Sequence, residues 1–440
     1  MLTVSLVVNC SVSFRSIPKI LTNIILLTGI EEEFKIPHFT TVIRWLTRIG
    51  YYLLKRSTRK ICSAKKPWIC VADHTIQVGT NKAFAVIGIP AKVLESGKAL
   101  SLKDATVLAT VVKKSWTGEN VSKVLKKVFK HNGYPLQIVT DGASNLRKGV
   151  RESLEEIDHD CHMTYDITHL IAKLFKKKYN GQAMFQRIMN ELAITSKKIT
   201  QSDIGYLIPP KIREKSRFLN LPNLANWLDK MINILKLTTL SSTERKLIKK
   251  NFGWIWEPDV EAYIRNFTRE VKAIKDLQKI LKNTGINEFS YRKACVKLSE
   301  IEDDKFTEPI EKALLQELEY TRIVSFPLLL TSDLIESLFG KYKTIAKSHR
   351  LSEINRTVLT ISVVCEEITT NLIDKVFSKT TEKEVSRWVK RNIPTTLLSR
   401  KCLVMRNRKK DNLSKISEFK QTLQEKKSLP MIGHKIGACL

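Results

Sequence analysis

The chain of 440 residues is short of acidic charge. Its 44 Asp and Glu stand against 75 Lys and Arg, giving a formal net charge of +31 and a pI near 9.8. An imbalance of that size implies a polyanionic partner, either nucleic acid or an anionic membrane surface. Long apolar runs are also missing. No stretch of about 18 uncharged apolar residues exists, which excludes a spanning helix and argues against the membrane. The apolar opening Met1–Cys10 lacks a basic leader, and Asn9 stands where a small residue should precede a lipidated cysteine. It therefore reads as a shortened first element and not as a secretory signal. The eight cysteines (10, 62, 70, 161, 295, 365, 402, 439) form no CxxC pair, as expected for reduced thiols in a cytosolic protein. Internal repeats and low-complexity segments are absent too. What remains is 43% hydrophobic and 27% charged, the balance of a folded globular chain with about three domains' worth of length.

Near the amino terminus Ser16 can cap a helix carrying Ile20, Leu21, Ile24, Ile25 and Leu27, broken by Gly29 and the acidic run Glu31–Glu33. Pro37 then opens a second helix whose Phe39, Val42, Ile43, Leu46 and Leu53 face inward. Its other face carries Thr40, Thr41, Arg44, Thr47, Arg48 and Lys55. Such a pair suits helix-turn-helix docking in a major groove, although an amphipathic hairpin with solvated arginines has the same pattern. Residues 1–57 form this unit, and the Lys/Arg-rich stretch 58–67 reads as a basic linker.

The middle reads as a sheet. Residues 68–79, 83–89, 105–112, 136–140 and 163–167 are strand-like, and 117–133, 144–157 and 169–179 are helical, with Thr117 as a candidate cap. The order β-β-β-α-β-α-β-α predicts an α/β fold, a mixed sheet flanked by helices. Asp73 interrupts an apolar strand and Asp141 ends another. Burying a carboxylate among Ile, Val and Ala costs several kcal/mol unless something neutralises it. Two such groups at neighbouring strand ends are hard oxygen ligands suited to Mg²⁺. A turn-capping Asp141 beside Gly142 and a salt-bridged Asp73 are the alternatives.

Together with that strand order, Asp73 in VADH, Asp141 in VTDG and a later DLIESLFGKYK resemble the ribonuclease H-like core of DDE transposases, the kind carried by bacterial insertion sequences. The likeness covers roughly residues 68–180 and 325–365. It implies a catalytic and metal-binding triad of Asp73, Asp141 and Glu336, two Mg²⁺ ions replaceable by Mn²⁺, and metal-dependent DNA cleavage and strand transfer. It further implies a homodimer acting on paired element ends and target duplex, in a cytoplasmic, nucleoid-associated protein. Glu336 has a competing explanation, since Asp333-x-x-Glu336 is an acceptable capping box; Asp333, Glu366 and Glu367 are rival third acids. In the same family an element like YDITH places an auxiliary pair near the site, here Asp166 and His169. Lys341, Lys343 and Lys347 beside Glu336 would offset phosphate charge. His159, Cys161, His162 and His169 fit no familiar zinc spacing, and His74 points to the opposite strand face from Asp73.

Nearly two hundred residues separate Asp141 from Glu336, so residues 181–330 are expected to be a helical insertion between the first part of the core (68–180) and its final helix region (331–365). Arg217, Phe218, Trp227, Trp254, Trp256 and Arg265 could contact DNA, with core packing the better reading for the tryptophans. Residues 366–440 form a helical and then basic region, with ten Lys/Arg against three Asp/Glu over 400–427. Two other functions fit the same residues: a transposase-derived DNA-binding protein without catalysis, and a ribonuclease H-like nuclease that cuts without joining.

Overall fold

Short β-branched runs alternate with amphipathic stretches in the first half of the chain, and this alternation builds a sheet covered on both faces. The computed structural model describes residues 1–29, 35–62, 67–76, 79–155, 161–211, 218–346 and 353–406. Helices α1 (Leu2–Val8), α2 (Ile17–Thr28) and α3 (Phe39–Cys62) come first. Strands β1 (Trp68–Ile76), β2 (Lys82–Pro90) and β3 (Thr106–Lys113) follow as an antiparallel meander. Helix α4 (Gly118–Asn132) leads to β4 (Gln137–Thr140), and α5 (Ser144–Leu154) to β5 (His162–Tyr165). The strand order is β3-β2-β1-β4-β5, with β4 parallel to β1 and β5 parallel to β4. This is the mixed sheet flanked by helices that the element order predicts, in the arrangement that the ribonuclease H-like resemblance implies.

Alternation along β1 sorts side chains into two layers. Trp68, Cys70 and Ala72 pack with Val121, Leu125, Phe129 and Leu146 of α4 and α5. Ile69 and Val71 join the opposite core. Thr117 caps α4, its hydroxyl accepting the Asn120 N–H at 3.3 Å.

Helix α3 does not stand apart as a separate reading unit. Its Val42, Leu46, Ile49 and Leu53 are buried in the same core as Ile69 and Val71, each contributing about 1.5–3 kcal/mol. Gly50 permits the approach: a Cβ there would lie 2.0 Å from the Leu359 carbonyl oxygen. The polar face is partly consumed as well. Thr47 is buried and donates to the Ile43 carbonyl at 2.9 Å. Arg48 donates to the Phe377 carbonyl at 2.9 Å and stacks 4.5 Å from the Phe377 ring centroid. Arg48 is therefore a packing residue, because the chain's last helices fold back onto this face. Thr40 and Arg44 stay exposed and Thr41 is half-buried. The helix runs on through Cys62, so the boundary expected at residue 57 falls inside it.

After β5 come α6 (Ile167–Tyr179), α7 (Ala183–Ile199), α8 (Leu221–Asn233), α9 (Ser242–Phe252), α10 (Pro258–Thr284), α11 (Glu288–Leu298) and α12 (Asp304–Val324). They enclose a second core that begins with Ile167, Ile171 and Phe175 of α6, ahead of residue 181. Trp227, Trp254 and Trp256 pack there, as does Phe218, while Arg265 is exposed and paired with Glu261. The chain returns through α13 (Asp333–Ala346), α14 (Thr360–Val364), α15 (Thr370–Lys379) and α16 (Glu382–Asn392). No helix among the described residues is long and apolar enough to cross a membrane. Glu31–Glu33, His159, Arg217, Lys347 and the basic run beyond residue 406 lie outside the described residues.

Candidate active site

Sheet register brings three aspartates level. Val71 pairs with Val139 across β1 and β4, and Val139 with Thr164 across β4 and β5. Two residues further on, Asp73 within β1 stands level with Asp141 and Asp166, which lie just past the ends of β4 and β5. The Asp166 N–H donates to the Thr140 carbonyl at 2.9 Å and extends the ladder to that level. Asp141 is held by its turn: its Oδ1 accepts the Ala143 N–H at 2.8 Å, and Gly142 takes φ +75°, a left-handed conformation that glycine adopts without strain.

Half-buried Asp73 accepts its neighbour's amide, the His74 N–H, at 2.6 Å. Burial first, and then the nearby Asp141, push its carboxyl up to about 7; Glu336 adds to this, and the His74 amide and His169 oppose it. His74 turns to the other face, its ring 4.9 Å from Phe84 and 5.2 Å from Trp116. Burial there lowers it to about 4, helped by Lys82 and opposed by Asp141.

Glu336 lies within electrostatic range of this row on α13, whose Leu334, Ile335, Leu338, Phe339 and Tyr342 share the core of Val71 and Val139. The helix begins at Asp333, so Glu336 is one residue beyond the capping-box position, and Asp333 pairs instead with Lys282 at 2.9 Å. Although exposed, Glu336 stands in a crowded mouth. Desolvation by the surrounding chain, with Asp166, Asp333 and Asp141, raises its carboxyl, while His169 pulls the other way. The rival Glu366 is paired with Arg56 at 2.7 Å, and Glu367 is exposed. Lys343 is exposed and Lys341 half-buried; Gly340 faces open space.

Asp166 differs from the expected auxiliary contact. It is the N-cap of α6 and no part of a strand, and it is buried. Its Oδ1 accepts the Thr168 N–H at 2.6 Å and its Oδ2 accepts the Ser332 N–H at 2.7 Å as well as the Ser332 hydroxyl. His169 Nδ1 lies 3.6 Å away. Burial raises the Asp166 carboxyl, but the nearby His169 and the bonds from Ser332 outweigh it and hold the group low. His169 is raised in turn by Asp166, against its own burial. Since the Glu336 N–H donates to the Ser332 carbonyl at 3.2 Å, Asp166 ties the sheet to the first turn of the helix that carries Glu336.

Two further ties escaped the sequence reading. Buried Gln137 donates to the Leu329 carbonyl at 2.8 Å and accepts the Leu329 N–H at 3.0 Å, pinning the returning segment to β4. Its only signal was a polar residue inside an apolar strand, the same signal that marked Asp73. Arg147 stacks 4.1 Å from the Tyr165 ring centroid beside Gly142, placing a cation next to Asp141.

The donor chemistry fits a divalent cation: carboxylates that repel one another at buried strand ends are what such an ion compensates. Among the described residues, however, no three His, Cys, Asp or Glu side chains converge closely enough to hold a metal ion as they stand. The zinc alternative fares no better, because His162 pairs with Glu317 at 2.8 Å and stacks on Tyr320, away from His169.

No family model matches this sequence, and no curated protein matches it. Among solved structures the chain is similar to the Drosophila P element transposase strand transfer complex, with 14% identity and a TM-score of 0.40 over 83% of this chain and 89% of that one.

Proposed function

We propose that this protein is a DNA transposase that cuts and joins phosphodiester bonds at the carboxyl ends of β1 and β4. The observation that carries this reading is the in-register pair Asp73 and Asp141, with Glu336 electrostatically coupled to both although it is remote in sequence. Asp73, Asp141 and Glu336 would hold two Mg²⁺ or Mn²⁺ ions. Bound there, the ions supply acidity to an attacking hydroxyl and charge compensation to a leaving 3′ oxygen.

The protein's own contribution is positional. The sheet fixes Asp73 and Asp141 rigidly, while exposed Glu336 has freedom to turn inward from the first turn of α13. Asp166, with Glu336 and Asp141, favours the protonated form of His169 beside the acids. Lys341 and Lys343 would balance a bound phosphate. No covalent enzyme intermediate is needed, so one site serves both cutting and joining. A homodimer on paired ends and a nucleoid-associated location belong to the same proposal.

The test uses a supercoiled plasmid carrying the gene's native flanking DNA, purified protein with Mg²⁺ or Mn²⁺, and Asp141→Asn alongside. Metal-dependent 3′-hydroxyl ends that are absent in the variant and join to new DNA support the transposase. Cuts without joining favour the nuclease, and end binding without cuts favours the non-catalytic DNA-binding protein. Full cleavage by Asp141→Asn removes the site assignment.

A further inference from the structure

Helix α10 carries Arg265, Arg269, Lys272, Lys275, Lys279 and Lys282 at spacings of three and four residues, so that they share one face. All six are exposed, and all line one groove of about 870 Å³ between α10 and α8. Asp229, Asp276 and Asp333 line it too, leaving an excess of three positive charges. Arg265 is paired with Glu261, Arg269 with Glu302 at 3.5 Å, and Lys282 with Asp333. Lys272, Lys275 and Lys279 have no ion pair among the described residues.

The groove is not remote from the acids. Thr168, beside His169, and Asp333, three residues before Glu336, are among its lining residues. From Arg265 to Lys282 the helix rises about 26 Å, a basic track leading away from the candidate site. Among the described residues no aromatic side chain lines it, so these residues offer no platform on which unpaired bases could stack. Periodic ammonium groups suit instead the regular phosphates of a duplex edge, a contact that positions DNA without reading sequence.

We infer that the α10 face seats one backbone of duplex DNA flanking the scissile phosphate, making the insertion a clamp for the substrate. This rests on the DNA reading above and adds a location to it.

The experiment measures binding of the full-length protein to a fluorescent duplex and to one of its single strands, by anisotropy between about 50 and 200 mM salt. The variant carries Lys272→Gln, Lys275→Gln and Lys279→Gln. A charge-matched control carries Lys246→Gln, Lys249→Gln and Lys250→Gln on α9, exposed positions outside the groove. Thermal melts verify that both are folded. Three lost phosphate contacts lower the slope of log K against log salt on duplex by about 3, with a loss of affinity of about tenfold to a hundredfold, and the control changes little. Equal losses in both variants, or an unchanged groove variant, overturn the inference while leaving DNA binding intact. A loss confined to single strands overturns the duplex assignment. Absence of any binding by the unaltered protein removes the DNA reading and the inference with it.

Discussion

Replacing Asp166 by Asn isolates the tie between the sheet and the helix that carries Glu336. One carboxylate oxygen serves α6 by accepting the Thr168 N–H, and the other serves the start of α13 by accepting both donors of Ser332. An asparagine has a single acceptor, so whichever way it turns, its NH₂ confronts a buried N–H. With the α6 cap retained, the Ser332 side loses bonds to a charged group worth about 1.5–3 kcal/mol each and leaves a buried amide unpaired at about 1–3 kcal/mol. Because these terms overlap, the net local cost is about 2–4 kcal/mol. Amide hydrogen exchange in a peptide spanning 328–336 should quicken by roughly 30- to 1000-fold, at a factor of ten for each 1.4 kcal/mol. Ser332→Ala keeps the backbone N–H and loses only the hydroxyl's bond to the charged group, so its exchange should rise by a smaller factor, about 10- to 150-fold. Mass spectrometry of the exchanged peptide is the assay. It reports local opening and does not require the two cores to unfold together. Exchange in Asp166→Asn within about threefold of the unaltered protein would refute the claim that Asp166 holds this helix start.

Two other outcomes are expected. Gly50→Ala places a methyl group 2.0 Å from the Leu359 carbonyl oxygen, so α3 must shift off its neighbour; a loss of about 3 kcal/mol or more follows, checked by thermal melting, and a loss under about 0.5 kcal/mol contradicts that packing. Burial pushes the Cys161 thiol up to about 12 and the Cys70 thiol well above its ordinary value, whereas Cys10 and Cys402 are exposed. Since a raised pKa withholds thiolate until the pH approaches it, Cys161 at pH 8 is thiolate in roughly one molecule in ten thousand. Alkylation mapped by mass spectrometry should therefore mark Cys10 and Cys402 before Cys161 and Cys70, and labelling of Cys161 as early as Cys10 would count against its shielding.

Local signals carried the sheet and its layers. Apolar runs with a period of two placed every strand within a few residues, and Thr117 and Gly29 marked helix ends through their own backbone chemistry. Asp73 and Asp141 were visible as candidates because a carboxylate in or at the end of an apolar strand is costly wherever the chain goes next. The amphipathic stripe of α3 was equally visible. What that stripe packs against, and hence that Arg48 lies against Phe377 instead of facing solvent, depends on helices more than three hundred residues later.

The ribonuclease H-like core was what the resemblance implied, whereas composition and periodicity by themselves determined a basic α/β chain with a mixed sheet and carboxylates in or just after its apolar strands. Those are properties of neighbouring residues, set by side-chain alternation and the cost of desolvating charge. Only the tertiary structure decided that Asp166 is a buried strut, that Ser332 and Gln137 fasten the returning segment, and that the lysines of α10 share a groove with Thr168 and Asp333. Each of these joins residues whose separation along the chain leaves no periodic trace, since the contact exists only once two cores have formed and met.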